Sequence, residues 1–216
     1  MGLIRDHLRL YLVTDIGLCA EQGLVAVVTA AVRGGVTCVQ LRDKAGSTPD
    51  RIAAARALKQ ALAGSGVPLI INDDIDAAYE AEVDGVHLGQ DDAKVTEARA
   101  RLGPDRTIGV SCDTVDQVRV TDPCVVDYLG LGTVFPTASK SDHKPSIGLC
   151  GLAELADAAV LPSVAIGGLK EEHAARVLAA GCEGMAVVSA ICGQRDPERA
   201  ARALRHALDR AKGAVR

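Results

Sequence analysis

The sequence has almost no aromatic residues: three Tyr, one Phe and no Trp in 216 positions. A core built from it must be aliphatic, and there is no aromatic platform on which bases could stack, which argues against single-strand nucleic-acid binding. Excess positive charge is also missing. Lys and Arg number 24 against 28 Asp and Glu, a net charge of −4, so no global field draws in nucleic acid or an anionic membrane surface. Any anionic ligand has to be held locally. No uncharged apolar run approaches the ~20 residues that cross a bilayer, and Arg5, Asp6 and Arg9 interrupt the N-terminal segment. The seven cysteines form no Cys-x-x-Cys pair and have no regular spacing, as expected of free thiols in a reducing cytoplasm. A soluble cytoplasmic protein is therefore expected, not exported, with no nucleic-acid or membrane partner.

What the chain does have is alternation. Short β-branched or aliphatic runs take turns with longer, Ala-rich, charge-dotted segments, the pattern of repeated βα units around a parallel sheet. Strands are expected at Leu8–Thr14, Cys38–Leu41, Pro68–Ile71, Gly85–Leu88, Thr107–Val110, Val126–Leu129, Ser163–Ile166 and Gly184–Val188. Helical patterns fall near Gly23–Arg33, Pro49–Ala63, Asp76–Ala81, Ala93–Leu102, Val115–Thr121, Gly151–Ala158, Glu171–Ala180 and Pro197–Lys212. The helical stretches carry one apolar stripe, as in Ile52, Ala55, Leu58 and Leu62, and suit an outer layer with one wet face. Gly34-Gly35, Gly64, Gly103 and Gly181 end four of them, as C-cap chemistry expects. Eight pairs without a linker or composition shift predict an α/β fold: a (β/α)₈ TIM barrel, one domain over residues 1–216. A doubly wound open sheet is the second choice, disfavoured because Thr14-Asp15-Ile16-Gly17 is not a Gly-rich dinucleotide turn.

In such a barrel the chemistry sits at the carboxyl ends of the strands, so the polar residues that close each apolar run are the candidates. The second strand runs on through Gln40, Leu41, Arg42, Asp43 and Lys44; a period of two puts Gln40, Arg42 and Lys44 on one side. Solvated loop charge is the bland reading of Arg42 and Lys44, and the partner-seeking Gln40 beside them favours the functional one. The third and fourth strands end in Asn72-Asp73-Asp74 and Gly89-Gln90-Asp91-Asp92. Carboxylates delivered by two neighbouring strands to one rim repel unless a hard divalent cation relieves them, and Mg²⁺ suits that position. Asp73 and Asp92 are the ligand candidates, with Asp74 or Asp91 assigned to helix capping. His87, inside a strand, is read as a satisfied structural histidine. The sixth strand leads into a Gly-bearing loop with Thr137, Ser139 and Lys140, suited to phosphate oxygens. After strands seven and eight, Gly167-Gly168 and Ser189 match the place where many barrels bind a phosphomonoester through backbone N–H groups. Two anion sites of different kinds imply two phosphorylated small-molecule substrates.

Taken in order from Tyr11-Leu12-Val13-Thr14-Asp15 to Val187-Val188-Ser189-Ala190-Ile191, these segments resemble the thiamine-phosphate synthase family. Gln40-Leu41-Arg42-Asp43-Lys44, Ile71-Asn72-Asp73, His87-Leu88-Gly89-Gln90-Asp91-Asp92 and Pro136-Thr137-Ala138-Ser139-Lys140 carry the resemblance jointly. It implies that Gln40, Leu41, Arg42, Asp43, Lys44, Asn72, Ser111 and Lys140 hold a pyrimidine diphosphate, and that Asp73 and Asp92 hold Mg²⁺. Thr137, Ala138, Ser139, Gly168, Val188 and Ser189 are then expected to hold a thiazole phosphate. The implied reaction is a dissociative displacement of diphosphate by the thiazole nitrogen, with Arg42, Lys44, Ser111 and Lys140 as catalytic residues. Asp74 departs from the family, which often has Arg there, and adds negative charge beside the expected metal site. A thiazole tautomerase without synthase activity, a sugar-phosphate isomerase and a non-catalytic phosphate sensor stay open as alternatives. So do the oligomeric state, a homo-oligomer included, and whether the thiazole carries a carboxylate.

Overall fold

The computed structural model describes residues 2–90, 95–137 and 145–214. Eight parallel strands close into a barrel in sequence order: β1 (Leu10–Val13), β2 (Cys38–Leu41), β3 (Leu69–Asn72), β4 (Gly85–Leu88), β5 (Thr107–Cys112), β6 (Tyr128–Leu131), β7 (Ser163–Ile166) and β8 (Gly184–Val187). Around them lie α3 (Leu24–Arg33), α4 (Thr48–Leu62), α5 (Ile75–Glu80), α6 (Val95–Leu102), α7 (Val115–Val120), α8 (Gly148–Ala158), α9 (Ala174–Ala179) and α10 (Pro197–Ala214). Two short helices, α1 (Gly2–His7) and α2 (Ile16–Cys19), were not expected. The first precedes the first strand. The second is a single turn after β1, capped by Asp15, whose carboxylate accepts the Leu18 N–H at 3.0 Å; it is too short to show a helical period. No described helix is long and apolar enough to cross a membrane, and all seven cysteines are free thiols.

The strands alternate between two cores, as the period of two requires. Leu10, Leu12, Val39, Leu41, Leu69, Ile71, Val86 and Leu88 face outward and bury against the helical stripes, which supply Val27, Val28, Leu58, Leu155 and Leu208 among others. Tyr11, Val13, Cys38, Ile70, Tyr128, Val164 and Ala186 face the lumen. Paired residues of neighbouring parallel strands share a face, so His87, Gly109 and Tyr128, matched across β4, β5 and β6, lie in one interior layer. Gly109 is small because Tyr128 is large: a Cβ there would sit 2.1 Å from the Tyr128 ring.

The sixth strand begins two residues later than the expected Val126–Leu129. Val125 and Val126 are apolar, but both donate to the Asp122 carbonyl, at 3.1 and 3.0 Å, and so form a turn. Asp127 then accepts the Ile108 N–H at 2.7 Å and pairs with Arg99 at 2.7 Å, and the ladder starts at Tyr128. The expected helix Glu171–Ala180 opens as a 3₁₀ turn, Glu171–His173, before α9.

At the start of α5, Asp74 accepts the Ala77 N–H at 2.8 Å through one carboxylate oxygen and the Arg51 guanidinium at 2.9 Å through the other. Burial pushes its pKa up, yet the Ala77 N–H and Arg51 outweigh that and hold the carboxyl below the ordinary carboxylate range. A group whose pKa is lowered by folding contributes its stability above the unfolded value, ~4, and loses it as pH falls through the folded value. Asp74→Ala is therefore expected to cost about 1–2 kcal/mol at pH 7, the loss of a cap and its ion pair. The deficit should shrink below about pH 4, checked by urea unfolding of both proteins across that range. Gly109→Ala should cost ~1–3 kcal/mol through overpacking against Tyr128, more than the ~0.5–1 kcal/mol that Ala gains over Gly in backbone entropy; a higher or unchanged urea midpoint would contradict this packing.

Candidate functional site

At the carboxyl ends of the strands lies a cavity of about 700 Å³. Gln40, Arg42, Asn72 and Ser111 line it from β2, β3 and β5, and Thr137, Gly168, Val188 and Ser189 line it from the loops after β6, β7 and β8. Eight of the expected site residues thus meet in one space. Its floor is the upper part of the lumen, with Tyr11, Val13, Val164, Ile166 and Ala186.

The β2 end departs from a strict period of two, because the strand stops at Leu41. Gln40, 4% exposed, and Arg42 reach the cavity. Leu41 does not: it is buried in the layer between strands and helices. Asp43 turns to shape its own loop, accepting the N–H groups of Ala45 at 3.1 Å and Gly46 at 2.8 Å. Lys44, exposed, lines a neighbouring recess with Asp43 and Asp73, and Asn72 belongs to both spaces. The expectation that Lys44 shares a side with Gln40 and Arg42 is corrected accordingly. Past the last ladder bond the backbone no longer alternates.

Two supports of this end carry no obvious sequence signal. Thr14, fully buried at the end of β1, accepts the Arg42 N–H at 3.0 Å and thereby fixes where the Arg42 side chain departs. Arg51 donates to the Asp43 carbonyl at 2.9 Å while it pairs with Asp74, tying the β2 loop to the β3 end. The charge of Asp74 is thus committed to Arg51 and to α5.

Asp73 is exposed and has φ 66°, a left-handed backbone that a non-Gly residue adopts at a cost. Its N–H donates to the His87 carbonyl at 2.9 Å, and the Asn72 side-chain amide donates to its carboxylate. A hard oxygen donor held at the rim in this way fits a hard cation such as Mg²⁺. Among the described residues no group of three or more His, Cys, Asp or Glu side chains forms a metal cage. Asp92, Ala138, Ser139 and Lys140 lie outside the described residues.

On the opposite side, Gly167 and Gly168 have φ 106° and 61° and pack tightly against the β6 loop; a Cβ on Gly168 would meet Phe135 and the Pro136 carbonyl at 2.8 Å. After β8 the chain makes a turn, with the N–H groups of Ile191 and Cys192 bonded to the Val188 carbonyl at 3.1 and 2.8 Å. The backbone N–H groups of Gly168, Ser189 and Ala190 meet no acceptor among the described residues. Unspent donors at a cavity wall suit phosphate oxygens.

His87 is the residue that sequence reasoning set aside. The residue is 8% exposed and lines the cavity, and its imidazole bonds Tyr128 Oη through Nδ1 and Ser111 Oγ through Nε2, both at 2.9 Å. The available signal was parity: His87 shares its face with the interior layer, and its β-ladder partner Asn72 is a rim residue.

Residues 10–191 match the family model described as thiamine monophosphate synthase. A thiamine-phosphate synthase from Psychrobacter sp. (strain PRwf-1) is 50% identical over 202 residues, 92% of this chain and 94% of that protein. One from Albidiferax ferrireducens is 50% identical over 202 residues, 94% of this chain and 92% of that protein. Among solved structures, the thiamine phosphate pyrophosphorylase from Pyrococcus furiosus superposes with a TM-score of 0.87 at 32% identity, covering 96% of this chain and 98% of that one. A 3-hexulose-6-phosphate synthase, at 20% identity and a TM-score of 0.69, shares the fold alone. With a match running across the whole barrel and both walls of its cavity, the chain belongs to the thiamine monophosphate synthase family.

Proposed function

We propose that this chain is a Mg²⁺-dependent thiamine-phosphate synthase that joins a pyrimidine carried on diphosphate to a thiazole phosphate, or its carboxylated form. The C–O bond to diphosphate breaks first, and its electron pair leaves with pyrophosphate. The thiazole ring nitrogen then gives its lone pair to the pyrimidinylmethyl cation, forming thiamine phosphate. The observation that carries this reading is one cavity with two unlike polar walls. One wall has a guanidinium and amides, and the other has Gly-lined backbone donors and hydroxyls. Two phosphorylated substrates can therefore approach each other head to head, which is where proximity contributes most.

On this reading Gln40, Asn72 and Ser111 hold the pyrimidine portion. Its diphosphate extends past Asn72 toward the recess that contains Asp43, Lys44 and Asp73. Arg42, Lys44 and Lys140 follow the negative charge as it moves onto the leaving group. Asp73 and Asp92 are the residues that would hold Mg²⁺, which when bound supplies charge compensation for the diphosphate oxygens. Thr137, Ala138, Ser139, Gly168, Val188 and Ser189 hold the thiazole phosphate, and Val13, Val164 and Ile166 keep the reacting carbon away from water. Little acid–base work is asked of the protein, in keeping with a wall of cations and amides. A cytoplasmic location suits free cysteines.

The direct test is to incubate the purified protein with both phosphorylated heterocycles and assay pyrophosphate and thiamine phosphate. Both products should form with Mg²⁺ and neither after chelation; product formation in full without any divalent ion would refute the metal assignment. Arg42→Gln should lower kcat/KM roughly a hundredfold, ~3 kcal/mol, on the scale of removing one oxyanion donor. Asp73→Asn and Asp92→Asn should each abolish Mg²⁺-dependent turnover while leaving the circular dichroism and the urea midpoint unchanged. Near-normal turnover in either variant removes that carboxylate from the mechanism.

A further inference from the structure

Five polar side chains from five strands form one hydrogen-bonded row along the floor of the cavity. Gln40 Nε2 donates to Tyr11 Oη at 2.9 Å, and Tyr11 Oη meets Tyr128 Oη at 2.8 Å. Tyr128 Oη meets His87 Nδ1 at 2.9 Å, and His87 Nε2 meets Ser111 Oγ at 2.9 Å. The row spans the lumen from β2 through β1, β6 and β4 to β5. Tyr128 alone of the five does not line the cavity; it is 1% exposed.

The direction of these bonds follows from counting protons. An amide N–H can only donate, so Tyr11 Oη accepts from Gln40. Burial, helped by the neighbouring Tyr128 and Cys38, pushes the Tyr11 pKa well up, and burial does the same to Tyr128. Both phenols keep their protons, and each buried O–H needs an acceptor. If Tyr128 donated to Tyr11, the Tyr11 oxygen would receive two donors, and its own proton would be left with the weak sulfur of Cys38. If Tyr11 donates to Tyr128, every proton finds nitrogen or oxygen. Tyr128 then donates to His87 Nδ1, which puts the imidazole proton on Nε2, and Nε2–H donates to Ser111 Oγ. The Ser111 proton is what remains, and Ser111 lines the cavity.

The imidazole has little freedom to evade this assignment. Its ring packs on Tyr128 with centroids 5.5 Å apart, and a Cβ on Gly130 would come within 3.1 Å of its Cε1.

We propose that this row is an orienting relay: Gln40, through Tyr11, Tyr128 and His87, presents the Ser111 hydroxyl to the bound substrate as a hydrogen-bond donor. His87 and Tyr128 are therefore positioning residues. The group that Ser111 meets is an acceptor atom of the pyrimidine diphosphate, which rests on the function proposed above. Left to itself, a serine hydroxyl samples three staggered orientations; the relay removes the one in which it gives its proton back to His87. Pre-orienting a donor for a reaction stabilises the transition state without reorganisation at that moment.

Two measurements test this. Tyr128→Phe keeps the ring and removes one oxygen that does not touch the cavity. It should lower kcat about tenfold, the scale of one hydrogen bond, with KM for the pyrimidine diphosphate changed by less than about twofold. In a Ser111→Ala background the same substitution should change kcat by less than about twofold, because the hydroxyl being oriented is gone. Equal factors in the two backgrounds would overturn the relay. The second measurement needs no turnover and no variant. Nitrogen NMR of ¹⁵N-histidine-labelled wild-type protein should show His87 with a protonated Nε2 and a bare Nδ1; a proton on Nδ1 would overturn the proposed direction even if synthase activity is present. A protein that shows the expected tautomer but makes no thiamine phosphate would refute the function while supporting the bond direction of the relay.

Discussion

Closure of the eight-stranded sheet is the constraint on which everything else depends. It removes both edges, so every strand is paired on each side and every inward position shares one narrow lumen. With so few aromatic residues, the lumen is filled largely by Val, Ile, Ala and Cys, and its few large groups have to be fitted by vacancies elsewhere. Gly109 and Gly130 are those vacancies. They admit Tyr128 and His87, and with them the polar atoms that run along the cavity floor. The site is therefore part of the same packing problem as the core.

A polar atom in such a lumen costs free energy unless it is bonded, and here no buried side-chain nitrogen or oxygen lacks a partner among the described residues. That requirement has a structural consequence. Each interior polar group must find its neighbour across the barrel rather than along its own strand, since same-face neighbours on a strand lie two residues away. Gln40, Tyr11, Tyr128, His87 and Ser111 satisfy one another across five strands. A single amide of fixed donor character thus determines which end of the row has a spare proton. This coupling is a property of the closed sheet, because an open sheet would not bring β2 and β5 within reach of a common row.

Much of this architecture is legible from periodicity, and the misses have identifiable causes. Cys38–Leu41, Gly85–Leu88 and Ser163–Ile166 were readable as strands with their true bounds, since each is a short apolar run closed by turn or polar residues. The β6 offset was not readable, because Val125 and Val126 look like strand residues and are held in a turn by the Asp122 carbonyl. Gln40, Arg42 and Asn72 were recoverable from their place at strand ends, whereas Ser111, inside β5, came only from the resemblance to the family. Lys44 was misplaced by extending a strand's alternation beyond its last ladder bond, while Leu41 lies on the face opposite Gln40, as the period of two expects. His87 was set aside because a histidine inside a strand is ambiguous in one dimension. Only the partners on β5 and β6, 24 and 41 residues away, show that it bridges the cavity floor.

The rim shows how the fold keeps two adjacent carboxylates apart. Asn72, Asp73 and Asp74 follow each other at the β3 end, and two adjacent carboxylates would repel if both stood free. The fold separates them through the backbone. The left-handed turn at Asp73 sends its carboxylate toward Asn72 at the rim, while Asp74 is turned back onto the α5 N-terminus and Arg51. Arg51 neutralises the second carboxylate and, through the Asp43 carbonyl, holds the loop that carries Lys44. Asp74 therefore places no uncompensated charge beside Asp73, and the strain accepted at one residue is what sends the two carboxylates in different directions.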